Sequence, residues 1–430
     1  MIKKKRRLLA AVAVCSALLL WLRPADEYRH YSAYYSNLNK TLQREAIGPV
    51  AFIDLERLDH NIAAVQKNLP DHISLRIVTK SLPSIELIQY ILKASQTNKL
   101  MTFHQPYMKL LAKSLRQPHD MLLGKPLPVG AAADFYQSVG RTPHRVQWLV
   151  DSPERLQRYL ALAKKLQRRL LISLEIDVGL HRGGFRNNGE LGKALEIIKQ
   201  NKAWLEFSGF MGYDGHIAET PWAIFGKHGA MQREYKNVLE KYEEFVAYTR
   251  KNYAGLWHKK LTLNGAGSKT YQLYKNQQIL NDIAMGSGFV KPARFELPTL
   301  QDHRRALFIA TPVLKKIEKP AIPFVGGISS LFRLWNPNWY YGFYVYGGAW
   351  AADRVAPEGL VVNIFYGENP NENLVPNQTL LNASSSALIN VGDYVFYYPR
   401  QGDAIVQFKD VLAVRDNRVE RRFRPFRSGF

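Results

Sequence analysis

From about residue 48 the chain alternates short apolar runs with stretches whose apolar positions recur every three or four residues. The first kind of run predicts strands at Val50–Leu55, Leu75–Thr79, Leu100–Phe103, Met121–Leu123, Val146–Val150, Leu170–Ile176, Glu206–Met211, Leu261–Asn264 and Asp282–Met285. The second predicts helices at Leu58–Asn68, Ser84–Ser95, a stretch ending near Leu115, Pro153–Arg168, Glu190–Gln200 and Tyr235–Lys251. Strands that alternate with helices of this length imply βα units and a parallel sheet. Eight or nine such units in roughly 240 residues fit a closed (β/α)8 barrel of the TIM type better than an open sheet.

After about residue 300 the helical period is lost. Apolar runs at Leu307–Val313, Trp339–Tyr346, Leu360–Phe365, Asp393–Tyr398 and Ala404–Phe408 are separated by Gly, Pro and Asn, which predicts an antiparallel all-β domain. The expected organisation is a signal anchor or signal peptide over 1–25, a linker or helical arm over 26–47, a barrel over 48–298 and a C-terminal β domain over 299–430.

Composition narrows the class. The 430 residues suffice for a large domain and a smaller one, and nothing in the 46% hydrophobic content suggests long disorder. The formal net charge of +23 is expected to reflect solvated charged faces, with an anionic partner as the alternative. Basic and aromatic residues nowhere interleave as they do in nucleic-acid-binding segments, so nucleic acid is not expected. The single cysteine, Cys15, excludes an intrachain disulfide, a thiolate metal cluster and a cysteine nucleophile in the folded body.

Lys3 to Arg7 form a positive block, followed by an uncharged run of 15 residues, Leu8 to Leu22. That is long for a signal peptide's apolar region and short for a spanning helix. No small-x-small cleavage site follows, and Cys15 lacks a small residue before it. An uncleaved signal anchor is expected, with a cleaved signal peptide as the alternative. The positive-inside rule then places the body on the far, periplasmic side of an inner membrane.

In a βα barrel chemistry collects where the strands end. The second predicted strand exits at Thr79-Lys80-Ser81, where desolvation would favour a neutral lysine amine able to form a Schiff base; a solvated lysine is the alternative. A later exit reads Glu175-Ile176-Asp177-Val178-Gly179-Leu180-His181-Arg182-Gly183-Gly184-Phe185. Arg182 there suits an anionic oxygen, or else an ion pair with Glu175 or Asp177. Gly212-Tyr213-Asp214-Gly215-His216 offers a histidine for ring stacking or proton transfer. Gly265-Ala266-Gly267-Ser268-Lys269-Thr270-Tyr271 has the small residues and hydroxyls of a phosphate cradle, which Gly286 and Ser287 could complete.

As an ordered set, EIDVGLHRGGF at 175–185, GYDGH at 212–216 and NGAGSKTY at 264–271 resemble the D-threonine aldolases and D-serine dehydratases, with Lys80 and Arg76 where that family places its Schiff-base lysine. The resemblance covers about residues 48–410. It implies fold type III, a pyridoxal-phosphate barrel of the alanine racemase N-terminal type followed by a β domain. It further implies that Lys80 carries pyridoxal 5'-phosphate, that Arg182 contacts its phenolic oxygen and that His216 lies against its ring. Tyr213 and the residues Gly265, Gly267, Ser268, Thr270, Tyr271, Gly286 and Ser287 would complete the cofactor site. A homodimer is implied too.

The sequence departs from that family in its metal site. Metal-dependent members carry a histidine and a nearby cysteine or aspartate in the β domain; here the matching stretch is Val395–Ala404, with no histidine after His303, and Asp403 alone could remain as a ligand. The resemblance is therefore to a branch lacking the metal site. The expected function is metal-independent lyase chemistry on a D-amino acid, of the aldolase or dehydratase kind, with Lys80 as base and His216 as a second catalytic group. An amino-acid racemase is the alternative, requiring a second acid among tyrosines such as Tyr341, Tyr344, Tyr346, Tyr366, Tyr397 and Tyr398. A non-catalytic cofactor carrier or membrane-tethered scaffold is the third reading.

Overall fold

A computed structural model describes residues 21–221, 226–322, 326–348, 350–363 and 377–426. The positive block, Cys15 and most of the apolar run therefore lie outside the described residues, as does Tyr366. Among the described residues no helix is long and apolar enough to cross a membrane.

Eight parallel strands close into a barrel: β2 (Ser74–Val78), β3 (Lys99–Thr102), β4 (Asp120–Leu123), β5 (Arg145–Val150), β6 (Leu170–Glu175), β7 (Leu205–Gly212), β8 (Thr262–Gly265) and β9 (Asp282–Met285), with β9 pairing back onto β2. The expected barrel class is thus present. Its helices are α2 (Leu55–Asn68), α3 (Ile85–Ala94), α4 (Gln105–Ser114), α5 (Val129–Val139), α6 (Pro153–Lys165), α7 (Asn188–Gln200) and α8 (Gly226–Asn252). Several begin on a side-chain cap: Asp54, Ser84, Ser152 and Asn187 each accept a backbone N–H three residues on, satisfying a donor the first helical turn leaves open.

The N-terminal end of the barrel is closed by charge. Arg76, fully buried on β2, donates to both oxygens of Asp282 at 2.8 and 2.9 Å and to Asp120 at 3.2 Å. Lys99 adds a contact to Asp282 at 3.0 Å, and Arg145 and Gln147 reach Asp120 at 2.7 and 2.6 Å. Asp120, Asp282, Lys99 and Arg145 are each the first residue of their strand, so the plug sits at the end away from the strand exits.

The chain divides into two compact units: one of 53–307, 401–411 and 422–430, holding the barrel, and one of 1–52, 308–400 and 412–421. The second is built on a nine-stranded sheet with the path β13 (Val361–Val362), β14 (Gln378–Ala383), β11 (Tyr341–Tyr346), β10 (Leu307–Glu318), β1 (Val50–Asp54), β16 (Val411–Arg415), β17 (Arg418–Phe423); β15 (Tyr394–Pro399) pairs with β10 and β12 (Ala352–Ala356). Its core gathers Leu38 and Leu42 of helix α1 (Ala33–Glu45) with Phe52, Phe308, Phe396 and Leu412; Phe52 and Phe308 stack at 4.7 Å.

Three differences from the sequence expectation matter. The strand at 50–54 forms, but in the nine-stranded sheet, so the strand before Lys80 is the first of the barrel rather than the second. Helix α5 was not evident from a stretch rich in glycine and alanine. The β domain also carries a helix, α9 (Gly326–Trp335).

Candidate active site

All eight strand exits open at one end of the barrel. Beyond β2 the chain makes a tight turn, Thr79–Ser81, pinned by the buried Thr79 hydroxyl, which donates to the Met101 carbonyl at 3.1 Å. Lys80 projects from this turn, and its Nζ lies 4.4 Å from the centroid of the Phe103 ring at the exit of β3. That ring fills the space a side chain at 124 would need: a Cβ on Gly124 would stand 2.2 Å from its Cζ. Among the described residues Lys80 has no carboxylate within ion-pair distance. The side chain remains open to solvent, yet its amine is held below the ordinary lysine value. Desolvation is the main cause, reinforced by the positive charges of Arg182 and Lys125 and opposed by Asp403.

The exit of β6 supplies Glu175 and Arg182. Asp177 closes this loop on itself, accepting from the backbone N–H groups of Gly179 and His181 at 3.0 Å each and pairing with His181 Nδ1 at 2.8 Å. Arg182 is thereby left unpaired with Asp177, and its guanidinium lies 5.0 Å from the centroid of Tyr213. Glu175 is buried, and its carboxyl is pushed up to about 7, chiefly by desolvation, with Arg182 partly opposing. Gly179 has φ +120°, and a Cβ there would come 3.0 Å from His216 Nε2, so only glycine lets this loop approach the histidine.

His216 bonds Glu234 through Nε2 at 3.2 Å, while its Nδ1 is buried without a partner. The ring of Tyr213 covers Gly267, lying 3.1 Å from where its Cβ would be. Ser268 Oγ accepts the N–H of Gly286 at 3.0 Å, joining the β8 and β9 exits. Gly286 in turn abuts the lysine turn, where a Cβ would meet Val78 Cβ at 2.8 Å and Ser81 Cβ at 3.1 Å. The segment 402–407 seats on the same spot: a Cβ on Gly402 would be 2.6 Å from the Ser81 carbonyl oxygen and 3.2 Å from Ser287 Oγ. Asp403 follows directly, and its charge opposes the lowering of the Lys80 amine.

Lys80, Arg182, Tyr213, His216, Gly267, Ser268, Gly286 and Ser287 thus form one continuous neighbourhood. The other candidates stand behind it. Thr270 accepts the Gly267 N–H at 3.0 Å and shapes the loop. The Tyr271 hydroxyl is engaged with His303 Nε2 at 2.7 Å and with Gln272. Gly265 packs against Leu280. Phe103 and Lys125 were not singled out from the sequence, and Glu175 was weighed there only as an ion-pair partner of Arg182. All three sit at or next to strand exits, so reading every exit with equal weight would have found them. Of the tyrosines considered as a second acid, Tyr341, Tyr344, Tyr346, Tyr397 and Tyr398 belong to the other compact unit, where burial pushes Tyr397 up to about 12. Among the described residues no group of three or more His, Cys, Asp or Glu is placed to hold a metal ion.

The profile of the alanine racemase N-terminal domain matches residues 53–285. The chain is 25% identical over 212 residues to the alanine racemase of Ligilactobacillus salivarius (strain UCC118), covering 48% of this chain and 55% of that one. It thus spans about half the length of this curated relative. The fold resembles D-threonine aldolase from Filomicrobium marinum, with a TM-score of 0.67, 14% identity and coverage of 88% of this chain and 97% of that one. It also resembles D-threo-3-hydroxyaspartate dehydratase from Delftia sp. HT23, with a TM-score of 0.65, 16% identity and coverage of 90% and 99%. At such identities the likeness is one of fold.

Proposed function

The chain belongs to the alanine racemase N-terminal domain family, and from this premise we propose that it is a pyridoxal-phosphate enzyme acting on a D-amino acid, with Lys80 holding the cofactor. The observation that carries this reading is the meeting of the turn that bears Lys80 with the Ser268–Gly286 junction at one barrel mouth.

Four features fit the cofactor. Lys80 is an amine of lowered basicity with no carboxylate in ion-pair reach among the described residues, as covalent attachment of an aldehyde requires. The junction of Gly267, Ser268, Gly286 and Ser287 offers hydroxyls and close backbone approach without bulk, as a phosphate requires. His216 presents a buried Nδ1 that lacks a partner. Arg182, held over Tyr213, supplies a fixed cation for the phenolic oxygen.

Pyridoxal phosphate, when bound, supplies an electron sink that acidifies the α-hydrogen of an attached amino acid. The protein's part is positioning and proton transfer. Lys80 would hold the cofactor, and its amine, made less basic by desolvation and by the positive charges of Arg182 and Lys125, would be the group to take the α-proton on Nζ. Phe103 shields one side of the amine from water. Lyase chemistry without a metal is the reading favoured by the metal-site stretch: at 395–404 the sequence offers Arg400, Gln401 and Asp403 but no histidine or cysteine.

The test is an absorption spectrum of the protein with added pyridoxal phosphate, beside Lys80→Ala, during titration with D- and L-amino acids. A visible band that the variant lacks and that D-amino acids shift supports the site and the substrate hand. Formation of a 2-oxo acid or an aldehyde identifies a lyase; formation of the mirror-image amino acid identifies a racemase. A protein that stays colourless overturns the proposal.

A further inference from the structure

Helix α9 is amphipathic in the wrong sense for a helix packed on a protein core. Ser329 and Arg333 bond to the body. Ser329 is buried and accepts the Ile322 N–H at 2.8 Å, and Arg333 donates to the Pro320 carbonyl at 2.9 Å. Its large aliphatic residues face outward: Ile328 is 59% exposed, Leu331 66% and Leu334 73%. Spaced three apart, these side chains occupy one face of the helix. Phe332 packs edge-on against Trp339 at 4.7 Å, fixing the helix's rotation, so the aliphatic face cannot turn inward.

The chain's N-terminal segment meets the body at this same helix. Arg23 Nε donates to the carbonyl of Trp335, the last residue of α9, at 3.3 Å. Just beyond it, Asn338 donates to the Ala25 carbonyl at 2.8 Å and accepts the Glu27 N–H at 3.1 Å. Trp21 and Leu22, which end the uncharged run from Leu8, are exposed. That run follows the basic block Lys3 to Arg7. An outward aliphatic helix face is thus tied by hydrogen bonds to residues 23–27, directly after the exposed Trp21 and Leu22.

We propose that α9 lies flat in the surface of an anionic lipid bilayer, with Ile328, Leu331 and Leu334 in the acyl boundary, as a membrane contact additional to the N-terminal segment. A helix of this kind sinks its apolar face roughly 5–10 Å below the headgroups. Trp335 at its end suits the headgroup level, and the exposed Arg23 bonded to it suits anionic phosphates. A second copy of the chain would cover the face equally well but would give no reason for the helix to be joined to residues 23–27, which in sequence directly follow the basic block and the apolar run. The inference does not depend on the catalytic reading.

The full chain carrying Cys15→Ser and Leu331→Cys, labelled with an environment-sensitive fluorophore, is reconstituted into vesicles of phosphatidylcholine and phosphatidylglycerol. A matched sample carries the label at Leu388→Cys, an exposed leucine outside the helix. The expected result is blue-shifted emission at 331 that is lost when the acyl chains are brominated, with emission at 388 unchanged. Emission at 331 that is insensitive to brominated lipid overturns the proposal. If that emission is solvent-like, the face is bare; if it is blue-shifted, a second copy or residues 1–20 cover it.

Discussion

Glu175 shows how a single buried group couples the site to the stability of the barrel. A carboxyl near 7 in the folded chain and near 4.3 in the unfolded chain binds its proton more tightly when folded. Its contribution is therefore fully present below the unfolded value and is lost as pH rises through about 7. Desolvation is the cause, and the neighbouring Arg182 offsets only part of it. Glu175→Gln cannot ionise and escapes the cost. We expect the variant to gain on the order of 2–3 kcal/mol relative to the parent between pH 5 and pH 8. Urea denaturation at the two pH values checks this; parallel changes in parent and variant would show that the carboxyl stays ionised across that range.

At the scale of elements, the barrel was legible because strands buried on both faces read as continuous apolar runs, and because amphipathic helices separate them at a regular interval. Lys80, Arg182 and His216 could be singled out for the same reason: a parallel barrel delivers every strand exit to one end. The same signal misplaced Val50–Asp54. A five-residue buried strand looks alike in a barrel and in a flat sheet, and only pairing partners distinguish them. The return of 401–411 to the barrel unit was hidden because it rests on contacts between residues far apart in sequence, such as Gly402 with Ser81. Helix α9 was passed over because its Gly326–Gly327 start and outward leucines do not look like a core-facing helix.

Arg76 illustrates what the pattern left out altogether. It sits within an otherwise apolar strand, and nothing local announces that Asp120 and Asp282 converge on it. Removing it would leave two buried carboxylates short of a cation. Arg76→Met is expected to cost about 3–5 kcal/mol, the penalty for breaking a buried ion pair from one side. A loss below about 1 kcal/mol in urea titration would show that Lys99 and Arg145 suffice to neutralise the plug.

The whole molecule carries a formal net charge of +23, and this sets its response to salt. Like charges spread over the surface repel, and the repulsion is greater in the compact state than in the extended one. Exposed ion pairs such as Lys199–Glu196 and Lys319–Glu318 act in the opposite sense, but each contributes little in water. The buried Arg76 cluster lies beyond the reach of mobile ions and should respond to neither. Raising sodium chloride from about 0.01 M to about 0.15 M shortens the screening length from roughly 30 Å to roughly 8 Å, which quenches long-range repulsion while sparing close contacts. The melting temperature of the full chain in non-ionic micelles should therefore rise over this interval and level off above it. Chloride is the right salt, because sulfate or phosphate could occupy the Ser268–Gly286 junction and stabilise the chain by binding. A melting temperature that falls as chloride is added would mean that the surface charges are arranged as attractive networks, and that the excess of lysine and arginine carries no folding penalty.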